Sequence, residues 1–468
     1  MQHKLIHSEN SPRLLLIFAG WGMDAGVFGN LRRPGYDIMV VWDYRSYHID
    51  WKCVDRYDEI CLLAWSMGVY AASQTIQAIE NRITRRVAVN GTPWPVDDHM
   101  GIPEAIFNGT LSGLSDASLG RFYRRMCASK SDLALFEAHR PERPVDELKD
   151  ELQAIADRMI LSTPARMIWD VAVVCKDDRI FPFHNQRAAW TSAGVPLQVE
   201  DGGHFFDFNR LLDANFIDKT LVGTRFESGT ATYNNHAAVQ IDVVERLVEM
   251  IRLYGLTSEI SAARNAVLEI GSGSGFLTQK VAAMINQATL VMWDLAAPIP
   301  DALPAGRKYE FVNCDAELAL RRIRPETFDH IFSASTIQWF NSPERFIHDC
   351  HRALRPGGYA FLTTYTHGNM HEISDITGNA LPLLTPARWQ ELAGPLFDII
   401  ACQAYLRDLD FQSPSEVLRH LKLTGVNSLS RSSRGTVSVR NILDRYPMRL
   451  DGRYHLTYHP IILILRKR

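Results

Sequence analysis

CLLAWSMGVYAAS, residues 61–73, is an apolar run with one serine in its middle and small residues after it. The pattern predicts a buried strand that passes directly into a helix, with Ser66 at the turn between them. A serine on so tight a turn is exposed, and the backbone amide of Met67 can face a developing oxyanion. Ala64 stands where the usual G-x-S-x-G pattern has its first glycine. Ser66 alone is therefore as compatible with a structural serine as with a nucleophile.

Strand-like and helix-like stretches alternate through the first half of the chain. The strand-like runs include RLLLIFAGWG (13–22), RRVAVNGTPW (85–94) and MIWDVAVVCK (167–176). This alternation predicts a mostly parallel α/β sheet flanked by helices. From about residue 97 to 166 a helical pattern interrupts it, which indicates an inserted cap.

Two further loops supply partners for Ser66. KDDRIFP (176–182) and EDGGHFFDF (200–208) each follow a strand-like run. They give the order Ser66, Asp178, His204, which is the order of an α/β-hydrolase catalytic triad. Asp177 could orient the imidazole in place of Asp178. Together these loops make acyl-ester chemistry the favoured interpretation.

The first glycine-rich loop, FAGWGMDAGVF (18–28), follows an early strand. In this fold that loop provides a second oxyanion donor, here the backbone near Trp21, beside the Met67 amide. The alternative is a glycine-rich turn around a packed indole ring.

A second alternation of strands and helices begins after GTRFESGTATYNN (223–235). The chain has 468 residues, more than one hydrophobic core usually supports. We therefore expect two domains, 1–222 and 223–468.

The loop VLEIGSGSGF (267–276) ends a strand with Glu269 and continues into glycines that allow a ligand to approach the backbone. The glycines are Gly271, Gly273 and Gly275. Their G-x-G-x-G spacing, with an acid two positions before it, differs from the dinucleotide pattern and predicts an S-adenosylmethionine pocket. Asp294 ends the next strand, where an acid binds ribose hydroxyls, and Asp315 follows the third strand. A doubly wound domain for another nucleotide remains the alternative.

The first half resembles the pimeloyl-carrier-protein methyl ester esterases of biotin synthesis, in the branch with FAGWGMD near the start and WSMGV at the elbow. The resemblance extends over some 220 residues. It implies an α/β-hydrolase fold with a helical cap, and hydrolysis of a methyl ester at the far end of an acyl chain.

The second half resembles the malonyl-carrier-protein O-methyltransferases of biotin synthesis, a group of Rossmann-like class I methyltransferases. The matching pieces are RFESGTATYNNHAAVQ, FSASTIQWF, GNMHEI and LRHLKLTGVN. The resemblance implies that Tyr233 closes over the methyl donor and that Gln338 and Trp339 line the site. Tyr233 could instead pack beneath its helix, and Trp339 could be structural. Arg407, Arg419 and Lys422 are equal candidates for binding the substrate carboxylate.

The two resemblances together predict a bifunctional enzyme whose partner is acyl carrier protein. Such carriers are acidic, so each domain needs a positive docking surface. The arginines of RFYRR and RRIR are candidates, although each group could be a plain solvated helix face. They are Arg121, Arg124 and Arg125 in the cap, and Arg321, Arg322 and Arg324 in the second domain.

Composition argues against several other classes of function. The formal net charge is −3, without the basic excess that sequence-independent nucleic-acid binding favours. No long apolar run or basic leader occurs, so we expect a cytoplasmic protein without a membrane partner. Seven scattered cysteines form no CxxC pair, which predicts no metal site and no disulfide framework.

Two other functions remain compatible with these residues. The esterase and methyltransferase could act on another small acid with the same site residues. Alternatively, one half could be a non-catalytic module that binds carrier protein, if Ala64 spoils the elbow.

Overall fold

The structure is a computed structural model that describes residues 1–161, 169–296, 303–377, 381, 383–424 and 439–468, with only the backbone described at 161 and 228–236. The chain divides into two compact units, Met1–Leu212 and Asp213–Arg468. The domain boundary expected at 222/223 lies slightly later, inside a helix that spans Lys219–His236.

A mostly parallel sheet forms the centre of the first unit. Its strands are β1 (Gln2–His7), β2 (Arg13–Phe18), β3 (Asp37–Trp42), β4 (Glu59–Trp65), β5 (Ile83–Val89), β6 (Val171–Cys175) and β7 (Leu197–Glu200). In the described part of the chain these seven strands have the order β1-β3-β2-β4-β5-β6-β7. Only β1 is antiparallel to its neighbour there. Every residue of β4 is buried, because helices cover both faces of a parallel sheet.

The helices of the first unit include an insertion between β5 and β6. They are α1 (Met67–Thr75), α2 (Glu104–Ser112), α3 (Asp116–Met126), α4 (Lys130–Glu137), α5 (Val145–Leu161), α6 (Phe183–Ser192) and α7 (Phe208–Asn215). The insertion comprises α2 to α5 and falls in the segment expected to be a cap; residues 162–168 lie outside the described residues. A capping box formed by Ser115 and Ser118 begins α3.

The second unit contains another mostly parallel sheet. The strands of this unit are β8 (Ala266–Ile270), β9 (Thr289–Asp294), β10 (Lys308–Asn313), β11 (Phe328–Ala334), β12 (Leu354–Tyr365), β13 (Phe397–Ala404), β14 (Arg407–Phe411), β15 (Tyr454–Tyr458) and β16 (Pro460–Lys467). The main sheet has the order β10-β9-β8-β11-β12-β16-β13, and β14 pairs with β15 in a separate ribbon. The C-terminal strand β16 is antiparallel to both β12 and β13.

Helices lie on both sides of this sheet and are interspersed with its strands along the chain. They are α8 (Lys219–His236), α9 (Ala238–Leu253), α10 (Thr257–Ser261), α11 (Phe276–Met284), α12 (Ala316–Arg322), α13 (Pro343–Ala353), α14 (His371–Thr377), α15 (Pro386–Ala393), α16 (Pro414–Leu423) and α17 (Val439–Arg445). The β8–α11 and β10–α12 connections bring polar loops to the carboxyl edge of the sheet, where ligands bind in open α/β folds. Among the described residues, no helix is both long and apolar enough to cross a membrane.

Candidate functional site

Ser66 occupies a strained turn between β4 and α1, with φ of 60° and ψ of −129°. Two glycines let the backbone pass close to it. A Cβ atom at Gly91 would lie 2.3 Å from the Ser66 carbonyl oxygen, and one at Gly68 would lie 2.4 Å from the Phe18 carbonyl oxygen. Ala64 is fully buried in β4, so the elbow forms with a methyl group in place of the first glycine.

A continuous hydrogen-bonded chain joins Ser66, His204 and Asp178. His204 Nε2 lies 2.9 Å from Ser66 Oγ, and His204 Nδ1 lies 2.9 Å from Asp178 Oδ2. The three residues are 5%, 1% and 7% exposed. When Nδ1 carries the imidazole proton and donates it to the carboxylate, Nε2 can accept the serine proton.

Asp178, and not its neighbour Asp177, faces the imidazole. Asp178 Oδ1 accepts the backbone N–H groups of Ile180 and Phe181, at 2.8 and 3.0 Å. Its Oδ2 accepts the Gln186 side-chain amide at 3.0 Å, in addition to the contact with the histidine. Asp177 is exposed. Sequence reasoning missed Gln186, which lies on α6 and follows no motif.

Three side chains fix the position of His204. Trp65 Nε1 and Asn90 Nδ2 donate to the His204 carbonyl oxygen at 2.9 and 3.0 Å. The Phe181 ring stacks on the imidazole, with 6.0 Å between ring centroids and 8° between planes. The imidazole is thereby oriented from its backbone and from one face, and sequence reasoning assigned none of these roles.

The loop that contains Trp21 lies directly beside Ser66. A Cβ atom at Gly20 would be 3.5 Å from Ser66 Oγ. The indole itself is packed: its Nε1 donates to the Leu148 carbonyl oxygen at 2.8 Å, and its ring meets Phe122 edge-on at 5.3 Å. Gly20 and Trp21 of this loop and Met67 at the start of α1 line the same cleft as Ser66.

An open cleft of about 490 Å³ contains Ser66 and His204. Its apolar walls come largely from the cap: Ile102, Ile106, Phe107, Phe122, Met126 and Leu152. Such walls suit the methylene groups of an acyl chain.

The three arginines predicted in the cap lie on α3. Arg121, Arg124 and Arg125 are all exposed, and Arg125 also lines the cleft and lies over the Phe122 ring, 6.0 Å from its centroid. In the second unit, Arg321 lies beside Asp349, at 3.7 Å, while Arg322 and Arg324 are exposed.

In the second unit, the glycine-rich loop connects β8 to α11 with left-handed backbone at each predicted glycine. Gly271, Gly273 and Gly275 have φ of 75°, 49° and 86°. A Cβ atom at Gly271 would lie 1.9 Å from Thr336 Oγ1, whereas one at Gly273 would meet no described atom within 4 Å. Gly271 is thus required for packing, and Gly273 leaves room for an approaching ligand.

Asp294 ends β9 and binds the glycine loop. Its Oδ2 accepts the Gly273 N–H at 2.8 Å, and its Oδ1 accepts the Ala296 N–H at 2.9 Å. Asp315 begins α12, and its Oδ1 accepts the Glu317 N–H at 2.9 Å. Both predicted acids therefore lie at the carboxyl edge of the sheet.

Glu269 is fully buried near the end of β8. Burial raises the pKa of this carboxyl group to about 8; the Thr278 hydroxyl opposes the rise and the Asp294 carboxylate adds to it. Glu269, which the sequence predicts to contact the cofactor, is not among the described residues that line the cavity.

A cavity of about 1190 Å³ opens above this loop. It is lined by Gly271, Gly273, Asp294 and Asp315, whereas Gly275 is not among the described residues that line it. In the described part of the chain, the Trp339 indole N–H and the Ser272 hydroxyl are buried without a hydrogen-bond partner. Buried polar groups require partners, so these two groups fit a polar ligand bound in the cavity.

The predicted substrate residues differ in their positions. Trp339 lines the cavity, but Gln338 does not: its amide donates to the Ser335 carbonyl oxygen at 2.5 Å and accepts from Thr364 at 3.3 Å. The side chain of Tyr233 lies outside the described residues. The three cationic candidates Arg407, Arg419 and Lys422 are exposed and are not among the described residues that line the cavity.

Lys219, at the start of α8, is a cavity residue that sequence reasoning missed. It is 4% exposed and lies 2.7 Å from Glu317 Oε2 and 3.3 Å from Asp315 Oδ1. It follows the residue Asp218, whose side chain caps the helix by accepting the Leu221 N–H. The helix cap at Asp218 was the sequence feature that could have drawn attention to Lys219.

The serine elbow and its partners on a parallel sheet define the first unit as an α/β-hydrolase. The glycine loop and the acids at the carboxyl edge of the second sheet define a Rossmann-like methyltransferase unit. Family models agree with both assignments: residues 1–213 match the family described as pimeloyl-ACP methyl esterase BioG, and residues 268–362 match a methyltransferase domain.

Relatives extend over almost the whole chain. A malonyl-[acyl-carrier protein] O-methyltransferase of Bacteroides fragilis is 34% identical over 97% of this chain and 93% of its own length. One from Chlorobium phaeovibrioides is 32% identical over 54% of this chain and 97% of its own length. The crystal structure of BioG from Haemophilus influenzae has 34% identity and a TM-score of 0.42, covering 45% of this chain and 96% of that chain. The chain belongs to the malonyl-[acyl-carrier protein] O-methyltransferase family, and in it the methyltransferase unit is fused to a BioG-type methyl esterase unit, so the protein is a bifunctional enzyme.

Proposed function

We propose that this enzyme catalyses the first and last steps that build the pimeloyl group for biotin. The second unit methylates the free carboxylate of malonyl-acyl carrier protein, with S-adenosylmethionine as the donor. The first unit hydrolyses pimeloyl-acyl carrier protein methyl ester. The observation that carries the proposal is the hydrogen-bonded chain from Ser66 through His204 to Asp178 beside an apolar cleft.

The methyl ester explains why one chain would hold both activities. A malonyl carboxylate is ionised near neutral pH, and a charged group is costly to bury in an apolar tunnel of a chain-elongating enzyme. Methylation removes that charge. Hydrolysis restores the carboxylate once the chain has seven carbons.

Ester hydrolysis follows from the arrangement of the triad. His204 Nε2 takes the proton of Ser66 as Oγ attacks the ester carbonyl carbon, while the amides of Trp21 and Met67 stabilise the oxyanion. His204 then protonates the departing methoxy oxygen. Methanol departs, and the acyl group remains on Ser66 as an ester. Water, deprotonated by His204, attacks this ester and releases the pimeloyl carboxylate and free Ser66. Asp178 holds the imidazole orientation and stabilises its cationic form.

Methyl transfer depends mainly on positioning. S-adenosylmethionine, when bound, supplies an electrophilic methyl group on a sulfonium that leaves as a neutral thioether. We assign the ribose hydroxyls to Asp294 and the adenine to the region of Asp315, with the backbone near Gly273 against the donor. Trp339 contributes an indole N–H to the cavity. The malonyl carboxylate is already anionic near neutral pH, so no general base is required.

The exposed arginines of α3 are our proposed contact for the acidic carrier protein near the esterase cleft. Charge reversal at Arg121 and Arg124 should raise KM for a carrier-bound ester, because complementary charge steers association. Hydrolysis of a small free ester should be unchanged. A parallel loss on both substrates would instead identify these side chains as structural.

The test follows mass changes on carrier-bound substrates with purified full-length protein. Pimeloyl-carrier methyl ester should lose the mass of one methylene group, and malonyl-carrier with S-adenosylmethionine should gain it. Ser66→Ala should abolish the first change and leave the second intact. Asp294→Ala should abolish methylation of malonyl-carrier and leave hydrolysis of the pimeloyl ester intact.

Three outcomes would be informative. If both changes occur and respond to their own variants, both activities are established. If folded protein changes neither carrier substrate, the assignment to biotin synthesis is wrong. If the ester is hydrolysed equally by Ser66→Ala, the triad mechanism is wrong even though the substrate is right.

A further inference from the structure

The loop beside Ser66 is a tight turn whose form depends on an external contact. The Met23 N–H donates to the Gly20 carbonyl oxygen at 3.3 Å, and Gly22 has φ of 75°. These are the features of a type II turn with glycine at its third position. In a type II turn the central peptide, which joins Trp21 to Gly22, is flipped relative to a type I turn, so an acceptor for the Gly22 N–H selects between the two forms.

That acceptor comes from the cap. Glu151 on α5 is fully buried, and its Oε2 accepts the Gly22 N–H at 3.4 Å. One turn earlier on the same helix, the Leu148 carbonyl oxygen accepts the Trp21 indole N–H at 2.8 Å. The cap helix therefore contacts the side chain of one central turn residue and the backbone of the other.

Glu151 also connects to both ends of the loop. Its Oε1 accepts the Tyr44 backbone N–H at 2.9 Å, and the Tyr44 hydroxyl donates to the Ala19 carbonyl oxygen at 2.6 Å. Its Oε2 accepts a guanidinium N–H of Arg143 at 2.6 Å, and Arg143 donates in turn to the Met23 carbonyl oxygen at 3.3 Å. A buried carboxylate is stable only when its oxygens are satisfied, and here two of the donors are the backbone N–H groups of Gly22 and Tyr44.

We propose that Glu151 is a positioning residue for ester hydrolysis: through its bonds to Gly22, Tyr44 and Arg143 it anchors the Gly20–Met23 turn, and so holds the Trp21 amide in place for the oxyanion. The inference rests on the proposed esterase function and extends it, since it makes the cap a part of the oxyanion site as well as a wall of the cleft. Because α5 carries the contact, the oxyanion site is complete only when this helix is seated on the core.

The experiment compares Glu151→Gln with Glu147→Gln in the full-length protein. Glutamine keeps the shape of glutamate but turns an amide N–H₂ toward donors, so one backbone or guanidinium contact must be lost. Glu147 lies one turn away on α5, and its half-exposed carboxylate pairs with Arg45 at 3.2 Å and Arg143 at 3.9 Å. It provides the same chemical change on the same helix without a contact to the loop.

Hydrolysis of p-nitrophenyl butyrate is the assay, because it requires the triad and oxyanion site but not the natural acyl chain. We expect kcat of Glu151→Gln to fall by about 10- to 100-fold, less than the roughly 10²- to 10³-fold loss that follows removal of an oxyanion donor, with KM within about twofold. Affinity for a trifluoromethyl ketone, which forms an oxyanion on Ser66, should fall by a similar factor. Glu147→Gln should match the wild type in all three quantities.

Tyr44→Phe provides a second test if Glu151→Gln does not fold. It removes only the hydroxyl that binds the Ala19 carbonyl oxygen and should lower kcat by several-fold with KM unchanged. Unchanged kcat in folded Glu151→Gln, or a fall in thermal stability with unchanged ketone affinity, would overturn the inference. Wild type that cleaves p-nitrophenyl butyrate but not the pimeloyl methyl ester would refute the proposed substrate alone; wild type that cleaves neither would refute both.

Discussion

At the residue scale, Asp177 and Asp178 show how one position in a loop decides a role. Both are aspartates after β6, and only Asp178 is buried and bonded to His204. The backbone N–H groups of Ile180 and Phe181 donate to its other carboxylate oxygen and hold the side chain in place. The role of triad acid therefore belongs, in our proposal, to the second of two adjacent carboxylates.

We predict that Asp178→Asn lowers kcat for ester hydrolysis by about 10⁴-fold, the effect of replacing the acid of a serine triad by an amide. The amide would favour the wrong imidazole tautomer. Asp177→Asn, one residue away and exposed, is the matched control and should retain nearly full activity. Equal losses in the two variants, measured by steady-state kinetics, would contradict the assignment.

Glu269 predicts a specific dependence of stability on pH. Its pKa is about 8 in the folded protein against an ordinary value of 4.5. Between these values the unfolded chain has lost the proton that the folded chain retains, so the free energy of unfolding falls as pH rises. The slope from this group is at most about 1.4 kcal/mol per pH unit, and it ends above the folded pKa.

Glu269→Gln should lack this slope because its amide does not ionise. Thermal unfolding between pH 5 and 8 should show the melting temperature of the variant rising relative to that of the wild type as pH increases. Parallel curves for the two proteins would show that the carboxyl group does not keep its proton in the folded state.

At the element scale, the start of α8 is part of the methyltransferase cavity. Val222, Gly223 and Phe226 line the cavity together with Lys219, and the Lys219 ammonium also lies over the Phe340 ring, 4.6 Å from its centroid. The expected domain boundary at 222/223 would divide this group. The start of α8 belongs to the second unit and forms one wall of its cavity.

Lys219→Met should weaken binding of S-adenosylmethionine by about tenfold or more, since it removes the ammonium group that pairs with the carboxylates of Asp315 and Glu317. The melting temperature should fall as well. Lys280→Met is the control, because Lys280 makes an exposed pair with Glu245 at 2.6 Å, and such pairs contribute little. Titration calorimetry measures the affinity; wild-type affinity in Lys219→Met would exclude this role.

At the scale of the whole molecule, two activities in one chain create a selection problem. In the function we propose, the malonyl methyl ester made by one unit carries the same ester group that the other unit hydrolyses. Only chain length or the position of the ester distinguishes the early product from the final substrate. The apolar walls of the esterase cleft supply a physical basis for that distinction.

We predict that kcat/KM for the pimeloyl ester exceeds that for the malonyl ester on the same carrier by about 100-fold. Four additional methylene groups, at about 0.8 kcal/mol each, give roughly 3 kcal/mol if they are buried in the transition state. Competition between the two esters in one reaction measures the ratio. Equal values would place the selection elsewhere, for example in transfer between carriers.

Particular elements show how far sequence reasoning reached. The mostly parallel sheets, the helical insertion, the serine elbow and the loop with three left-handed glycines could all be predicted, because each depends on residues adjacent in the chain. Gln338 is a residue whose position could not be predicted in this way. Its place after β11 indicated a site residue, but its amide binds the backbone of its own loop. A side chain of this kind can turn toward the cavity or the loop with the same local sequence.

The two folds, the glycines that each tight turn requires, and the order of serine, aspartate and histidine can be inferred from the amino-acid sequence alone. Backbone conformation and hydrophobic periodicity are local properties, so the residues that impose them are neighbours in the chain. Tertiary packing is what places Asp178 rather than Asp177 beside His204, brings Glu151 of the cap to the Gly22 amide, and sets Lys219 against Asp315 and Glu317. These contacts depend on how separate elements pack, and their partners can lie more than a hundred residues apart in the chain, where no local pattern connects them.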